Sequence, residues 1–347
     1  MSEKFDPGFN KVIKWDIPLL EGYDFEFMKN ISKDPGSHHY SGIINPDIIN
    51  KIENWGAGSI LIYGWNFNAH LKCINYFYKK IPVFFRGDST DLTQRNSFIK
   101  KTIRRIFLTY VYQKIDRILY VGTQNKLYFL DKNCKEKNLV YAPHAIEINR
   151  FLRKPEFTLR SKFNISENDI VFLYAGKFEE VKNIQLLILA FSNFKNNNFQ
   201  LLIIGNGPLE LELKLFVSKL PDSVKCNIHF DNFYNQSNMV EVYKSADVFV
   251  LPSKSETWGL SVNEAMACGK AIIVSDKCGC YRDLVRINEN GYVFNSNNLN
   301  SLKEKMLKMD SKSKVTNMGE LSFEIIKSWN FENVAKSIEL IVLECSK

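Results

Sequence analysis

Two carboxylates, Glu256 and Glu264, are spaced eight positions apart within residues 247–269, DVFVLPSKSETWGLSVNEAMACG. The run 248–251 is apolar and predicts a buried strand that ends at Pro252, followed by a polar loop over 253–258. Gly259 or Leu260 then opens a helix that Gly269 closes. A helix that starts at the C-terminal edge of a parallel sheet aims its free N–H groups and the positive end of its dipole into the crevice there, a ready seat for a diphosphate. Glu256 stands just before that helix and Glu264 one to two turns inside it, so one carboxylate can meet a sugar and the other a ribose. A carboxylate accepts hydrogen bonds from two vicinal hydroxyls at once. Two arbitrary glutamates are ordinarily solvated charges. The frame of strand, Pro-Ser, loop, Gly-Leu and small-residue helix outweighs that reading here.

Cations for a diphosphate are available as well. Lys177 and Lys182 follow an expected strand at 170–175 and Gly176. Gly205 and Gly207, in GNGP after an expected strand at 200–204, permit a tight turn close to a nucleotide. A leaving diphosphate neutralised by lysines and a helix end needs no divalent ion, and no Asp-x-Asp pair stands where one is expected. No metal and no other cofactor is therefore expected.

These segments resemble, in order, the retaining glycosyltransferases of the GT-B fold, family 4. The resemblance covers residues 170–294 through YAGKFEEVKN, LLIIGNGPLE, FYNQS, SADVFVLPS, the E-x7-E pair Glu256/Glu264, and AIIVSDKCGC. It implies that Glu264 binds the donor ribose, and that Glu256 with backbone groups of Trp258, Gly259 and Leu260 holds the transferred sugar and pyrophosphate. It implies also that Lys177 and Lys182 act on the diphosphate beside Gly176, and that Phe233 borders the nucleobase. Glu256, Lys182 and Lys177 are thus the residues expected at the reacting centre. Lys177 stands where the family usually carries Arg; it keeps the charge and loses the bidentate fork. The implied reaction is retaining transfer of a sugar from a nucleoside diphosphate, UDP favoured over GDP, to a hydroxyl of a glycan or lipid-linked acceptor in bacterial cell-surface synthesis. A non-catalytic remnant that binds a sugar nucleotide or a partner, and a nucleotide-sugar epimerase, are the alternatives.

The first half of the chain offers acceptor-side candidates. Arg86, Asp88 and Ser89 of RGDST follow an expected strand, and Trp65 ends another in Tyr63-Gly64-Trp65. His144 lies in APHAIE, which resembles the family's stretch at the end of the first domain. Serine–histidine chemistry has no support, because no G-x-S-x-G elbow occurs. Residues 98–117 are helical in period. Ile99, Ile103, Ile106 and Phe107 form one face, and Lys100, Lys101, Arg104, Arg105, Lys114 and Arg117 crowd beside it. Such a helix either packs on a core with a solvated basic side or lies on anionic lipid. An anionic membrane surface is the expected partner.

Elements must hold these groups in place. Expected strands at 24–28, 59–63, 82–86, 117–121 and 139–141, then at 170–175, 200–204, 226–230, 248–251 and 271–275, alternate with helical patterns. That predicts an α/β protein of two Rossmann-like, doubly wound domains facing across a cleft. Residues 1–150 form the acceptor domain, 151–330 the nucleotide-sugar domain, and 331–347 a helix packing back on the first. The first domain reads as lacking its opening strand–helix unit, so a longer natural product or a completing partner chain is expected. The 347 residues carry a net charge of +8, which fits an anionic ligand or surface; nucleic acid is not expected, since no binding module is present. Seven scattered cysteines, with Cys278 and Cys280 flanking a glycine in poor zinc geometry, read as reduced thiols. No apolar run reaches membrane-spanning length, and the expected location is cytoplasmic and peripheral on the inner face of the membrane.

Overall fold

The computed structural model describes residues 4–37, 39–92, 98–194 and 198–345. It opens with an antiparallel hairpin, β1 (Lys4–Asp6) and β2 (Lys11–Ile13), with Asp6 opposite Lys11. Asp-Pro-Gly makes the turn: the Asp6 carboxylate accepts from the N–H groups of Gly8 (2.8 Å) and Phe9 (3.2 Å), as expected of Asp at a turn. The sequence pattern does not reveal this hairpin, because its strands are three residues long and half polar. The chain divides into two compact units, Met1–Pro18 with His144–Phe331, and Leu19–Pro143 with Glu332–Lys347. Both chain ends thus belong to units other than those their sequence neighbours form.

In the unit of Leu19–Pro143, four parallel strands lie in chain order: β3 (Ile60–Tyr63), β4 (Val83–Arg86), β5 (Arg117–Tyr120) and β6 (Leu139–Tyr141). Alternation along a strand sends neighbours to opposite faces. Phe85 and Ile118 meet α1 (Ile48–Trp55), α2 (Asn68–Phe77), α3 (Phe98–Tyr112) and α4 (Thr123–Asp131) through Ile49, Ile74, Leu108 and Phe129. Phe84 and Leu119 meet Ile341 of the C-terminal helix Phe331–Cys345. Residues 24–28 form no strand. Phe25 and Phe27 pack edge to face against each other (5.3 Å) and stay exposed, and alternation alone makes no strand without a ladder partner. The face of α3 that enters the core is Leu108, Val111 and Tyr112. Ile99, Ile103 and Ile106 lie 70%, 63% and 67% exposed, so the core-packed reading of that stripe is corrected.

The other unit holds six parallel strands in the order β12-β11-β10-β7-β8-β9. They are β7 (Ile170–Ala175), β8 (Phe199–Ile204), β9 (Ile228–Asp231), β10 (Val248–Leu251), β11 (Ala271–Ser275) and β12 (Gly291–Phe294). β7, β8, β10 and β11 are buried throughout, which is why they read as unbroken apolar runs. Strand order reverses between β7 and β10. In open α/β sheets, ligands bind beyond the carboxyl ends of the strands at such a switch point.

Candidate functional site

The stretch after β10 is fixed by a backbone bridge. Glu256 N–H donates to the Lys277 carbonyl (3.0 Å), Gly279 N–H to that of Glu256 (3.0 Å), and Cys280 N–H to that of Trp258 (3.1 Å). A Cβ on Gly279 would lie 1.8 Å from the Thr257 carbonyl oxygen, so only glycine allows this approach. Gly259 then turns the chain in the left-handed region (φ 101°) into the helix Leu260–Ala267. That helix begins beyond the C-terminal end of β10, and its first N–H groups lack intrahelical partners. The Trp258 side chain is buried. Its indole N–H donates to Asn263 Oδ1 (2.9 Å), and its ring packs on Trp329 (5.1 Å) and His144 (5.9 Å). Only its backbone is available to a ligand.

Lys182, in the short turn Glu180–Lys182 after β7, forms an ion pair with Glu256. Gly205, at the end of β8, lies against the β7 loop so closely that a Cβ there would stand 1.9 Å from the Gly176 carbonyl oxygen. Gly207 meets Phe178 N and the Gly8 carbonyl in the same way (2.7 and 2.8 Å). Lys177 bonds both oxygens of Asp6 (2.9 and 3.1 Å). Burial raises the Asp6 pKa, but the bond from Lys177 and the N–H groups of Phe9 and Gly8 outweigh it and hold the carboxyl below its ordinary value. Phe233, whose N–H donates to Asn206 Oδ1 (2.8 Å), faces the Phe9 ring at 4.6 Å. The hairpin therefore covers Lys177 and Phe233 together.

Glu264 is 14% exposed and not an ordinary helix-surface residue. It accepts from the buried Tyr243 hydroxyl (2.7 Å), and Arg150 approaches its other oxygen at 3.8 Å. Burial raises its pKa, and Tyr243 and Arg150 oppose that shift. Sequence reasoning missed both partners. Arg150 sits in a five-residue helix, Ile148–Leu152, and Tyr243 is an apolar-looking member of the helix Met239–Lys244.

In the unit of Leu19–Pro143, Arg86 is 8% exposed and donates to the carbonyls of Ala142 and Pro143 (2.9 Å each). Its guanidinium ties β4 to the segment after β6. It does not line an open surface, contrary to the expectation from RGDST. Asp88 and Ser89 are half-buried, and the Ser89 carbonyl accepts from Asn125 (2.8 Å). Trp65 packs on Phe107 (5.7 Å), with the Arg104 guanidinium 5.6 Å from its ring. His144 belongs to the unit that holds Glu264, and its carbonyl accepts from Asn263 (2.7 Å). Burial pushes the Cys278 thiol up to about 12, and no group of three or more metal-ligating side chains occurs among the described residues.

Residues 155–320 match the family model described as glycosyl transferases group 1. An uncharacterized glycosyltransferase of Methanocaldococcus jannaschii is 27% identical over 253 residues, 72% of this chain and 65% of the relative. The alpha-monoglucosyldiacylglycerol synthase of Streptococcus pneumoniae is 31% identical over 146 residues, 40% of this chain and 32% of the relative. The chain thus covers less than two thirds of these relatives' lengths. The crystal structure of Anabaena HepE in complex with UDP shares the fold, with a TM-score of 0.72 at 14% identity, over 86% of this chain and 82% of that one. The match to the glycosyl transferases group 1 family thus spans just under half of the chain, and the two parallel-sheet units have the α/β architecture of the GT-B fold.

Proposed function

We propose that this protein is a retaining glycosyltransferase that uses a nucleoside-diphosphate sugar and no metal ion. The observation that carries the reading is the gathering of Glu256, Lys182 and the start of helix Leu260–Ala267 at the sheet's switch point, with Glu264 one turn further along that helix. A diphosphate lying on the helix start draws Lys182 and Lys177 to its oxygens, away from Glu256 and Asp6. Glu256 then accepts hydroxyls of the sugar, and Glu264 those of the ribose. The bond from the anomeric carbon to the diphosphate oxygen breaks, and its electron pair leaves with the diphosphate. The acceptor hydroxyl attacks on the same face, and its proton passes to the departing phosphate oxygen. Charge developing on that oxygen is met by fixed dipoles and cations, which is where such sites stabilise a transition state.

UDP is the favoured carrier, in keeping with the UDP complex of the HepE structure. A lipid-linked or glycan acceptor at an anionic membrane surface is supported by the exposed Ile99, Ile103, Ile106 stripe on α3 beside Lys100, Lys101 and Arg105. Among the described residues no helix is long and apolar enough to cross a membrane. A thermal-shift panel of UDP- and GDP-sugars tests the donor. A true donor at 100 times its Kd stabilises the fold by about 2.7 kcal/mol, a rise of several degrees. No shift with any member rejects the reading. NMR of the product anomer, retained or inverted, tests the stereochemistry.

A further inference from the structure

We propose that Arg150 and Tyr243 are positioning residues for Glu264, holding its carboxylate ionised and oriented to accept the two ribose hydroxyls of a nucleotide. The inference rests on the donor-site reading of Glu264 and adds what makes that residue usable. A carboxyl at 14% exposure is drawn toward its neutral form, because burial penalises charge. The neutral acid is the wrong species: it turns one acceptor oxygen into a donor. Tyr243, fully buried, donates to one oxygen at 2.7 Å, and burial beside Glu264 raises its own pKa well above the ordinary value, so it remains a donor. Arg150 faces the other oxygen at 3.8 Å and is anchored by its bond to Gln236 Oε1 (2.8 Å). Its Nε is buried with no hydrogen-bond partner, a cost that a purely structural arginine has no reason to carry. Each Glu264 oxygen still has a lone pair for a hydroxyl.

The titratable groups facing Glu264 are Tyr243 and Arg150 from neighbouring helices and Cys268 one turn along its own. Burial pushes the Cys268 thiol up to about 12, so it is neutral and adds no competing charge. Removing Arg150 or the Tyr243 hydroxyl raises the Glu264 pKa further. The pH below which ribose recognition is lost then moves up.

Calorimetric titration of the full chain with UDP and with 2′-deoxy-UDP across the range about pH 5 to 8 tests this. The ratio of the two affinities cancels the phosphate titration that the ligands share. In the wild type this ratio rises with pH to a plateau. Arg150→Met and Tyr243→Phe are expected to move its midpoint upward by about one pH unit and to lower the ratio at acid pH. Arg150→Lys is expected to restore most of the midpoint. Melting curves confirm that each variant is folded, and Tyr243→Phe keeps the packing volume should Arg150→Met unfold. A ratio and midpoint unchanged in both variants, or an affinity loss equal for both ligands at every pH, overturns the proposal and leaves the two residues a packing role. Failure of the wild type to bind UDP sinks the donor-site reading itself, and the positioning role with it.

Discussion

Glu264 carries a conflict that can be measured. Burial raises its pKa above the unfolded value, so the native state binds its proton more tightly than the unfolded chain does. Its contribution to stability is therefore best at low pH and declines as pH rises from the ordinary carboxylate value through the raised one. On the proposed ribose-binding role, donor affinity needs the ionised form and should rise over the same window. Glu264→Gln is accordingly expected to weaken UDP binding about tenfold, the loss of one charged hydrogen bond. It should gain stability relative to the wild type as pH rises through that window, read as paired melts across pH. Glu264→Ala is the poorer probe: it orphans the Tyr243 hydroxyl, at about 1–3 kcal/mol, and so confuses folding with binding. Arg86 is the contrasting case, since both its bonds go to carbonyls of its own unit. Arg86→Met should cost about 3 kcal/mol of stability and leave nucleotide affinity unchanged; an unaltered melt with lost turnover would return Arg86 to the acceptor site. The sequence made Glu256, Glu264 and Lys182 visible because each stands at a fixed offset from a strand end or a glycine. Arg150 and Tyr243 were hidden because their partner, Glu264, is more than 20 positions away in sequence from Tyr243 and further still from Arg150.

The strands of the central sheet positions were the most legible elements. β6, β7, β10 and β11 have the bounds their apolar runs predict, whereas β12, which opens on a glycine, and the half-polar β1–β2 hairpin were missed. The stretch 24–28 has strand composition and no ladder. α3 shows the limit of periodicity, because a stripe of isoleucines at helical spacing marks an apolar face without saying what covers it. Its exposure predicts binding to anionic vesicles, at about 1 kcal/mol per basic side chain near the surface. Ile103→Glu should abolish co-sedimentation with vesicles rich in phosphatidylglycerol, and retention of full binding by that variant would reject the lipid reading of α3. The hairpin carries a prediction of the opposite kind. Asp6 pairs with Lys177 and Phe9 packs on Phe233, so on the proposed donor site Asp6 would compete with a diphosphate for Lys177. Asp6→Asn is therefore expected to bind UDP several-fold tighter than the wild type, with the gap closing at high salt as the ion pair is screened. Weaker binding by Asp6→Asn would instead make the hairpin part of the donor site.

At the scale of the whole molecule, the two-sheet architecture and the return of the C-terminal helix to the first unit were legible in the sequence, while the course of the N-terminal end was not. Met1–Pro18 joins the unit of His144–Phe331, and Glu332–Lys347 joins that of Leu19–Pro143. Both crossings rest on contacts between residues far apart in sequence, Lys177 with Asp6 and Ile341 with Phe84, and for the first of them no local pattern encodes the contact. The first crossing bears on how the molecule manages charge. A sugar nucleotide brings about two negative charges on its diphosphate. Enzymes meet such charge either with a divalent ion or with fixed cations and helix ends. Lys182 and Lys177 are each paired with a carboxylate from the protein itself, Glu256 and Asp6; in the proposed donor site a diphosphate would exchange one anionic partner for another, leaving both cations compensated throughout. On that account, turnover with a UDP-sugar should be unchanged in excess EDTA, while Lys182→Ala should lower kcat by two or more orders of magnitude, about 3 kcal/mol or more of lost transition-state stabilisation. Lys182→Arg should recover part of that loss, since the charge returns with a different shape. Activity that disappears with chelator and returns with Mg²⁺ or Mn²⁺ would show that the lysines and the helix start are too weak to carry the leaving group alone.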